Sequence, residues 1–328
     1  MHALGAVQSQ DYASAKWALA QRLGEATDAD LDRDFNAGRI LRTHVLRPTW
    51  HFVAPEDIRW LLALTGPRVN RLMANYNRLQ ELDEAVFARS HAALARALKG
   101  GAHLTRKELA GVLQDAGIAT PQLRLSFLVM RAELDAVICS GPRRGNQFTY
   151  ALLEERAPAA RTLTREQGLA ELVRRYFTSH GPAQPRDFAW WSGLTIADAR
   201  AGLEMVGGAL VSQVIAGQTH WLAADAKPAR GAAAPVVHLL PNYDEYTVGY
   251  RDHDAILDRA RVPISSVLAH VVTVDGQVRG RWRRSAAKGE AVVEVDLPES
   301  LSPAEEDALE RAVARFGRFL GMPLRLLS

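Results

Sequence analysis

The spacing of apolar residues in the middle of the chain predicts three helices followed by a β-hairpin. The first amphipathic stretch stops at Gly100-Gly101, because glycine readily adopts the left-handed conformation that ends helices. Thr105 and Glu108 have the Thr-x-x-Glu spacing of a capping box, which marks the start of the second helix. The predicted elements are helices over 86–99, 105–116 and 121–133 and strands over 136–139 and 147–152.

The same order of elements recurs in the next segment of the chain. Gly181-Pro182 stops its first helix, Pro185 starts a short second helix, and Thr195 caps the third. The predicted elements are helices over 165–179, 185–191 and 196–206 and strands over 209–215 and 218–223. Three helices followed by a hairpin form the winged-helix version of the helix–turn–helix, so two tandem winged helices are predicted.

The two ends of the chain follow other patterns. Gln8 and Gln10 stand at the start of a predicted helix, and the N-terminal elements resemble a third winged helix that lacks one helix. Towards the C-terminus, Asp275-Gly276 is a strong signal for a two-residue hairpin turn. The predicted elements are N-terminal helices over 11–23 and 29–37, strands over 42–46 and 49–53, C-terminal strands over 236–240, 267–274, 277–284 and 290–295, and a closing helix over 305–320.

These patterns predict an α+β protein, in which tandem winged-helix units precede a small C-terminal β-rich domain with a covering helix. Residues 225–235 are rich in Ala, Gly and Pro and are predicted to form a linker. The predicted domains are an incomplete winged-helix unit over 1–80, a second winged helix over 81–155, a third over 160–224 and the β-rich domain over 236–328.

Composition narrows the class of protein. The chain has 328 residues, of which 48% are hydrophobic and 23% charged, as in ordinary globular proteins. It has neither an apolar run long enough to span a membrane nor a recognisable signal peptide, so a cytoplasmic protein is predicted. Its one cysteine, Cys139, cannot form an internal disulfide and is predicted to be an inert strand residue.

The basic residues leave two interpretations open. The formal net charge is only +3, but most of the 40 Lys and Arg residues are arginine. Arginine suits bidentate contacts with phosphate better than lysine does. A GC-rich genome also favours arginine codons, so the arginine content alone does not establish nucleic-acid binding.

Several kinds of catalytic site are not predicted. The histidines lack the HxxxH and HExxH spacings, and Cys and His do not cluster, so no metal site is expected. The glycine-rich phosphate-binding motifs and the GxSxG nucleophile elbow are also missing from the sequence. The sequence therefore predicts neither a metal nor a nucleotide cofactor.

Three groups of polar residues remain as candidates, each with a structural alternative. The segment 239–252 is either a hydrogen-bonded turn or a site wall whose aromatic residues stack on bases. His44 and His51 lie on neighbouring predicted strands and are either structural or part of a site. Arg143 and Arg144, in the turn of the first hairpin, either contact phosphates or are simply solvated.

Taken together, these motifs make the chain resemble the winged-helix DNA glycosylases of the AlkZ and YcaQ type. The resemblance covers essentially the whole chain, and its most specific parts are Gln8-x-Gln10 and the Asp-Glu-Tyr-x-x-Gly-Tyr-Arg stretch at 244–251. It implies that Gln8 and Gln10 are catalytic and that alkylated purines are excised, with interstrand crosslinks unhooked by some members. Ser9 stands where the family motif usually has an aliphatic residue.

The chemistry implied by two glutamines is consistent with that substrate. A purine alkylated at N7 or N3 is cationic and already a good leaving group, so positioned water and a stabilised oxocarbenium-like sugar suffice. A glutamine carbonyl oxygen can orient water but is too weak a base to attack an undamaged nucleoside. Asp11 is expected on the same helix, about 100° around from Gln10, and is not assigned as a base. Bulky lesions would also suit an open cleft better than a tight base-flipping pocket.

The sequence therefore predicts a monomeric, monofunctional and nucleoid-associated bacterial DNA glycosylase that acts on double-stranded DNA containing alkylated purines. Gln8 and Gln10 are the predicted catalytic residues. The predicted substrate and DNA contacts are His51, Asp244, Tyr246, Arg251, Arg143 and Arg144. A non-catalytic winged-helix regulator, expected to bind a palindromic site as a dimer, is one alternative. A protein that sequesters a DNA-damaging natural product is another.

Overall fold

The structure is a computed structural model that describes residues 1–227, 234–287 and 290–327. The chain has a mixed α+β fold. Its helices are α1 Tyr12–Leu23, α2 Asp28–Asn36, α3 Ile58–Leu79, α4 Glu84–Leu98, α5 Arg106–Asp115, α6 Leu123–Leu134, α7 Leu153–Arg156, α8 Arg165–Ser179, α9 Pro185–Ser192, α10 Ile196–Val206, α11 Glu245–Val248 and α12 Pro303–Leu320, with 3-10 helices at Gly207–Ala209 and Ile264–Leu268. Its strands are β1 Ala6–Gln8, β2 Leu41–His44, β3 Trp50–Val53, β4 Leu104–Thr105, β5 Ile138–Ser140, β6 Thr149–Leu152, β7 Leu210–Ile215, β8 Gln218–Ala223, β9 Val237–Leu240, β10 Val271–Val274, β11 Gln277–Ala287, β12 Glu290–Asp296 and β13 Arg325–Leu327.

The chain divides into two compact units. The first comprises Met1–Ala6 and Arg33–Ala224. The second comprises Val7–Asp32 and the described part of 225–328. The divisions at the N-terminal side fall within β1 and α2, so the Gln8 segment and α1 belong to the same unit as the C-terminal sheet.

In the first unit, α4, α5, α6 and a small sheet confirm the first predicted series of elements. Thr105 and Glu108 form the predicted capping box, in which the Glu108 carboxylate accepts the Thr105 backbone N–H at 2.6 Å. The strands lie in the order β4-β6-β5. The third helix begins at Leu123, later than predicted, because Gln122 takes a non-helical backbone conformation with φ 36. The core between these helices is apolar and includes Leu94, Leu98, Leu109, Leu113, Leu128 and Ile138, all fully buried.

The second predicted series is also confirmed, with α8, α9 and α10 followed by the antiparallel hairpin β7/β8. Thr195 caps α10 as predicted. Helices α8 and α10 approach each other closely at Gly202, where an added Cβ would lie 2.4 Å from Val173 Cγ2. The interior of this region is aromatic, with Tyr176 against Phe188 and Trp191 at centroid distances of 5.4 and 5.0 Å.

The N-terminal part of the first unit combines a confirmed hairpin with a helix that was not predicted. Strands β2 and β3 pair in antiparallel register. The long helix α3 follows, and it contains Pro67, which would ordinarily indicate a break. Gly66 allows α3 to pack closely on α6, since a Cβ there would lie 2.9 Å from the Leu134 carbonyl oxygen.

A buried ionic cluster lies at the start of α3. The Asp57 carboxylate is inaccessible to solvent and accepts hydrogen bonds from Arg175 Nη1 at 2.6 Å and from Trp60 Nε1 at 2.9 Å. Arg161 also donates to it. Burial alone would raise the pKa of Asp57, but these hydrogen bonds outweigh burial and lower its pKa to about 2.

The second unit is built on a sheet with strand order β13-β12-β11-β10-β9, in which only the β12/β13 pair is parallel. Asp275 and Gly276 have φ of 48 and 82, which fits the predicted two-residue hairpin turn. Helix α12 covers the sheet, and its Phe316 packs on Trp282 and Trp17 at centroid distances of 5.1 and 4.9 Å.

The predicted strand over 267–274 is wrong in its first part. The 3-10 helix Ile264–Leu268 occupies that region, and β10 begins only at Val271. Local bonds explain the difference, because the Ser266 N–H donates to the Pro263 carbonyl and the Ala269 N–H to that of Ser266. Of the predicted linker 225–235, residues 228–233 lie outside the described residues.

Replacing Asp57 with Ala is expected to lower the free energy of unfolding by about 3–5 kcal/mol, because two arginines lose their buried partner. The lowered pKa of Asp57 contributes roughly 2 kcal/mol to the free energy of unfolding above about pH 4. This contribution is lost as the pH falls towards 2. Urea unfolding at pH 7 and along that acid range measures both effects.

Asp34→Ala is the matched control. Asp34 pairs with Arg39 on the surface, so its loss is expected to cost at most about 1 kcal/mol. Equal unfolding midpoints for the Asp57 variant and this control would contradict the assignment of the buried cluster.

Candidate active site

The Gln8-Ser9-Gln10 segment lies at the end of a strand and in the bend after it, not at the start of a helix as predicted. Strand β1 ends at Gln8, and α1 begins at Tyr12. Asp11 causes the later start, because it is the N-cap of α1 and accepts the Ser14 backbone N–H at 3.1 Å. The expected position of Asp11 around a helix from Gln10 is therefore wrong, and its carboxylate serves instead as a helix cap.

The three residues of the segment differ in exposure. Gln8 is 8% exposed and Ser9 is fully buried, whereas Gln10 is exposed. The segment thus passes from the interior of the protein to its surface within three residues. The two glutamines are therefore not both enclosed in a buried apolar core, where neither side chain would be accessible to solvent.

Glu245 holds the first residue of this segment. Its Oε1 accepts the backbone N–H of Gln8 at 2.9 Å, and its side chain is almost fully buried. The contact joins the two most specific parts of the sequence, which are 237 residues apart along the chain. Sequence reasoning did not single out Glu245 as a site residue, although it lies between two residues that were.

The neighbouring Asp244 is fully buried and is fixed by an ion pair with the partly exposed Arg22. Its carboxylate forms two hydrogen bonds with the Arg22 guanidinium, at 2.7 and 3.0 Å, and also accepts the Tyr246 backbone N–H at 2.8 Å. Burial would lower the pKa of Arg22, but the charge and hydrogen bonds of Asp244 outweigh burial and raise it. Asp244 therefore caps the short helix α11 and anchors it to α1.

Two tryptophans fix the chain just before this turn. Trp17 Nε1 donates to the Leu239 carbonyl at 2.7 Å, and Trp282 Nε1 donates to that of Leu240 at 2.8 Å. Tyr243 then has φ 57, a left-handed conformation that is uncommon for a bulky residue. These constraints direct both Asp244 and Glu245 into the protein interior.

Tyr246 combines a structural contact with partial exposure. Its hydroxyl donates to the Gly276 carbonyl at 2.7 Å, and burial raises the pKa of its phenol. The ring lines a cavity of about 720 Å³ in the second unit. Arg251 lies beyond α11 and is exposed. The segment 239–252 thus has the hydrogen bonds of a structural turn and also contacts the Gln8 segment.

The remaining predicted site residues belong to the first unit. His51 is buried on β3 opposite Thr43, whereas His44 on β2 lies opposite Trp50. The two histidines are on neighbouring strands as predicted, but successive residues of a strand point to opposite faces, so they do not share a face. The His51 Nδ1 lies 3.0 Å from the Thr49 carbonyl oxygen.

The hairpin arginines contact protein groups. Arg144 donates to the Glu108 carboxylate at 2.7 Å and to the His103 carbonyl at 2.8 Å. The Arg143 backbone N–H donates to Asn36 Oδ1 at 2.8 Å, and its guanidinium carbon lies 5.3 Å from the centroid of the Phe148 ring. Arg144 therefore has a carboxylate that competes with any phosphate for its guanidinium.

Other candidate chemistry is limited in the part of the chain that the structure describes. Cys139 is buried on β5, and burial raises the pKa of its thiol to about 12, so it is an inert strand residue as predicted. Among the described residues, no three His, Cys, Asp or Glu side chains are grouped so that they could hold a metal ion. No helix within those residues is long and apolar enough to cross a membrane.

The chain matches a known family of proteins over most of its length. The family model described as "DNA glycosylase AlkZ-like" matches residues 1–319. The chain therefore belongs to the AlkZ-like family of DNA glycosylases, and it is an enzyme of that class.

A protein sequence and a solved structure from Streptomyces sahachiroi agree with this assignment. The chain is 23% identical to a protein described as "Interstrand DNA cross-link repair glycosylase", with 98% of this chain and 91% of that protein covered. The solved structure of "Streptomyces sahachiroi DNA glycosylase AlkZ" is similar in fold, with a TM-score of 0.78 and 20% sequence identity, covering 99% of this chain and 92% of that one.

Replacing Glu245 with Ala is expected to leave the Gln8 N–H without its acceptor and to lower the free energy of unfolding by about 1–3 kcal/mol. Hydrogen exchange at the Gln8 amide should accelerate at least tenfold. Glu245→Gln retains an acceptor oxygen and should preserve most of the protection. Equal protection of Gln8 in the wild type and the Ala variant would contradict the assigned hydrogen bond.

Proposed function

We propose that this chain is a monofunctional DNA glycosylase that excises N7- or N3-alkylated purines from double-stranded DNA. The observation that carries the proposal is the hydrogen bond from Gln8 to Glu245, which ties the Gln-x-Gln segment to the Asp-Glu-Tyr turn. The name of the Streptomyces relative supports an extension to the unhooking of interstrand crosslinks.

The extended conformation at Gln8 suits a shared role for the two glutamines. Residues two apart on a helix point to nearly opposite sides, so the absence of a helix at residues 8–10 removes that constraint on the two side chains. We infer that Gln8 orients the attacking water through its carbonyl oxygen and that Gln10, which is exposed, approaches the sugar. Glu245 acts as a positioning residue because it accepts the Gln8 N–H, and Asp244 does so because it pairs with Arg22 and fixes the turn that carries Glu245.

The reaction requires no strong base. The water oxygen bonds to C1′ of the sugar as the bond from C1′ to the purine nitrogen breaks. The electron pair of that bond passes to the purine and neutralises its positive charge, and the water proton is released to solvent. The amide oxygens of the glutamines stabilise the developing positive charge on the sugar.

DNA binding by tandem winged helices is part of the proposal. The order of helices and hairpins supports winged helices over 81–155 and 160–224 and a β-rich domain over 236–328. We propose that DNA or substrate contacts come from Tyr246, Arg251, Arg143 and Arg144, and that the predicted residues His51 and Asp244, which are fully buried, contribute by positioning their neighbours. Arg144 would have to exchange its contact with Glu108 for a phosphate. We further propose that the enzyme acts as a monomer, in the cytoplasm and at the nucleoid.

The Gln8→Ala/Gln10→Ala double variant is expected to release 7-methylguanine from duplex DNA at least about 100-fold more slowly than the wild type, because the water is no longer positioned. Single-turnover kinetics with excess enzyme measure this rate. Gln114→Ala, which changes an exposed glutamine on α5, is the control and should retain the wild-type rate.

Other outcomes would identify the alternatives. Sequence-preferring DNA binding without base release by the wild type would instead support a winged-helix regulator. Binding of a DNA-damaging natural product without base release would support sequestration. Base release that is unchanged in the double variant would contradict the assigned role of the glutamines.

A further inference from the structure

A buried arginine in the first unit lies between two aromatic rings. Arg42 on β2 is 7% exposed, and its guanidinium carbon lies 4.3 Å from the centroid of the Trp50 ring and 4.7 Å from that of Phe148. His44 packs on the same indole at a centroid distance of 4.4 Å. The position of the half-buried Trp50 ring is therefore fixed by two neighbours on β2.

These rings face an open cavity of about 590 Å³. That volume is within the range of sites that hold small organic molecules. The lining residues used below are Arg42, Trp50, Arg106, Lys107, Gln147 and Phe148. A second cavity of about 380 Å³ is also lined by Trp50 and Arg106, so the same indole and the same guanidinium contribute to both.

The charge of this lining is positive. Lys107 is exposed, and no carboxylate of the described residues pairs with it. Arg106 donates to Ser126 Oγ at 2.5 Å, and that partner is neutral. Glu108, next to Lys107 in the sequence, pairs with Arg144, and Glu133 pairs with His44. The cavity therefore combines the aromatic surface of Trp50 and Phe148 with the cations Arg106 and Lys107.

We propose that this cavity, which we call the Trp50 site, binds one unstacked nucleotide of a DNA strand, with its base against Trp50 and its phosphate on Arg106 and Lys107. Aromatic surface for stacking together with cations for phosphate is the combination that recognises single-stranded nucleotides. Phosphate contacts along a paired duplex would need the cations but not the aromatic lining. The Trp50 site rests on the proposed DNA substrate but does not depend on cleavage of the glycosidic bond.

The test compares binding of an undamaged duplex with binding of the same duplex carrying one unpaired thymine, using fluorescence anisotropy. The wild type should bind the duplex with the unpaired thymine about tenfold more tightly. Trp50→Leu should abolish this preference, whereas Trp50→Phe should retain most of it. Lys107→Ala should weaken binding to both duplexes and reduce the dependence of affinity on salt.

Trp190→Leu is the matched control, because Trp190 is 51% exposed elsewhere in the first unit and should not affect the preference. Circular dichroism establishes that each variant is folded, and Phe148→Leu replaces Trp50→Leu if the latter unfolds. Absence of a preference in the wild type, or a preference that survives the loss of the aromatic ring, would overturn the proposal.

The same preparations also separate this proposal from the proposed glycosylase activity. The Gln8→Ala/Gln10→Ala variant should keep the preference for the unpaired thymine while losing base release. A wild type that prefers the unpaired thymine but releases no alkylated base supports the Trp50 site and contradicts the glycosylase assignment. Base release without that preference supports the activity and contradicts the Trp50 site.

Discussion

The candidate active site depends on one hydrogen bond, from the backbone N–H of Gln8 to the carboxylate of Glu245. A hydrogen bond to a charged acceptor in a buried position contributes more to stability than one between neutral groups. The acceptor is fixed in turn, because Asp244 is held by Arg22 and because Trp17 and Trp282 fix the chain before the turn. Through this set of contacts, a residue of the short N-terminal strand is positioned by the C-terminal sheet.

This arrangement also constrains the chemistry. The carboxylates near the glutamines are engaged, since Glu245 accepts from Gln8, Asp244 pairs with Arg22, and Asp11 caps α1. The groups proposed to face the substrate are therefore amides, which orient water but do not remove a proton from it efficiently. Such a site suits a base that already carries a positive charge and leaves without further activation.

Sequence reasoning succeeded where the determining signal is local. The caps at Thr105 and Thr195 and the turn at Asp275-Gly276 depend on neighbouring residues, and the structure has all three. It failed where distant contacts decide. The strand conformation of Gln8 is stabilised by an acceptor 237 residues away. Helix α3 contains Pro67, which ordinarily breaks a helix, and it packs closely on the distant α6 at Gly66. The contact of Glu245 with Gln8 also joins distant parts of the chain, so it could not be predicted from the position of Glu245 between the predicted site residues Asp244 and Tyr246.

The most direct test of the central claim is to compare base release from duplexes whose lesions differ in charge. Single-turnover rates would be measured for cationic 7-methylguanine, neutral hypoxanthine and undamaged guanine in the same sequence. We expect release of 7-methylguanine only, because amide groups cannot activate a neutral leaving group. Release of hypoxanthine at a comparable rate would contradict it and would require a proton donor or a stronger base at the site.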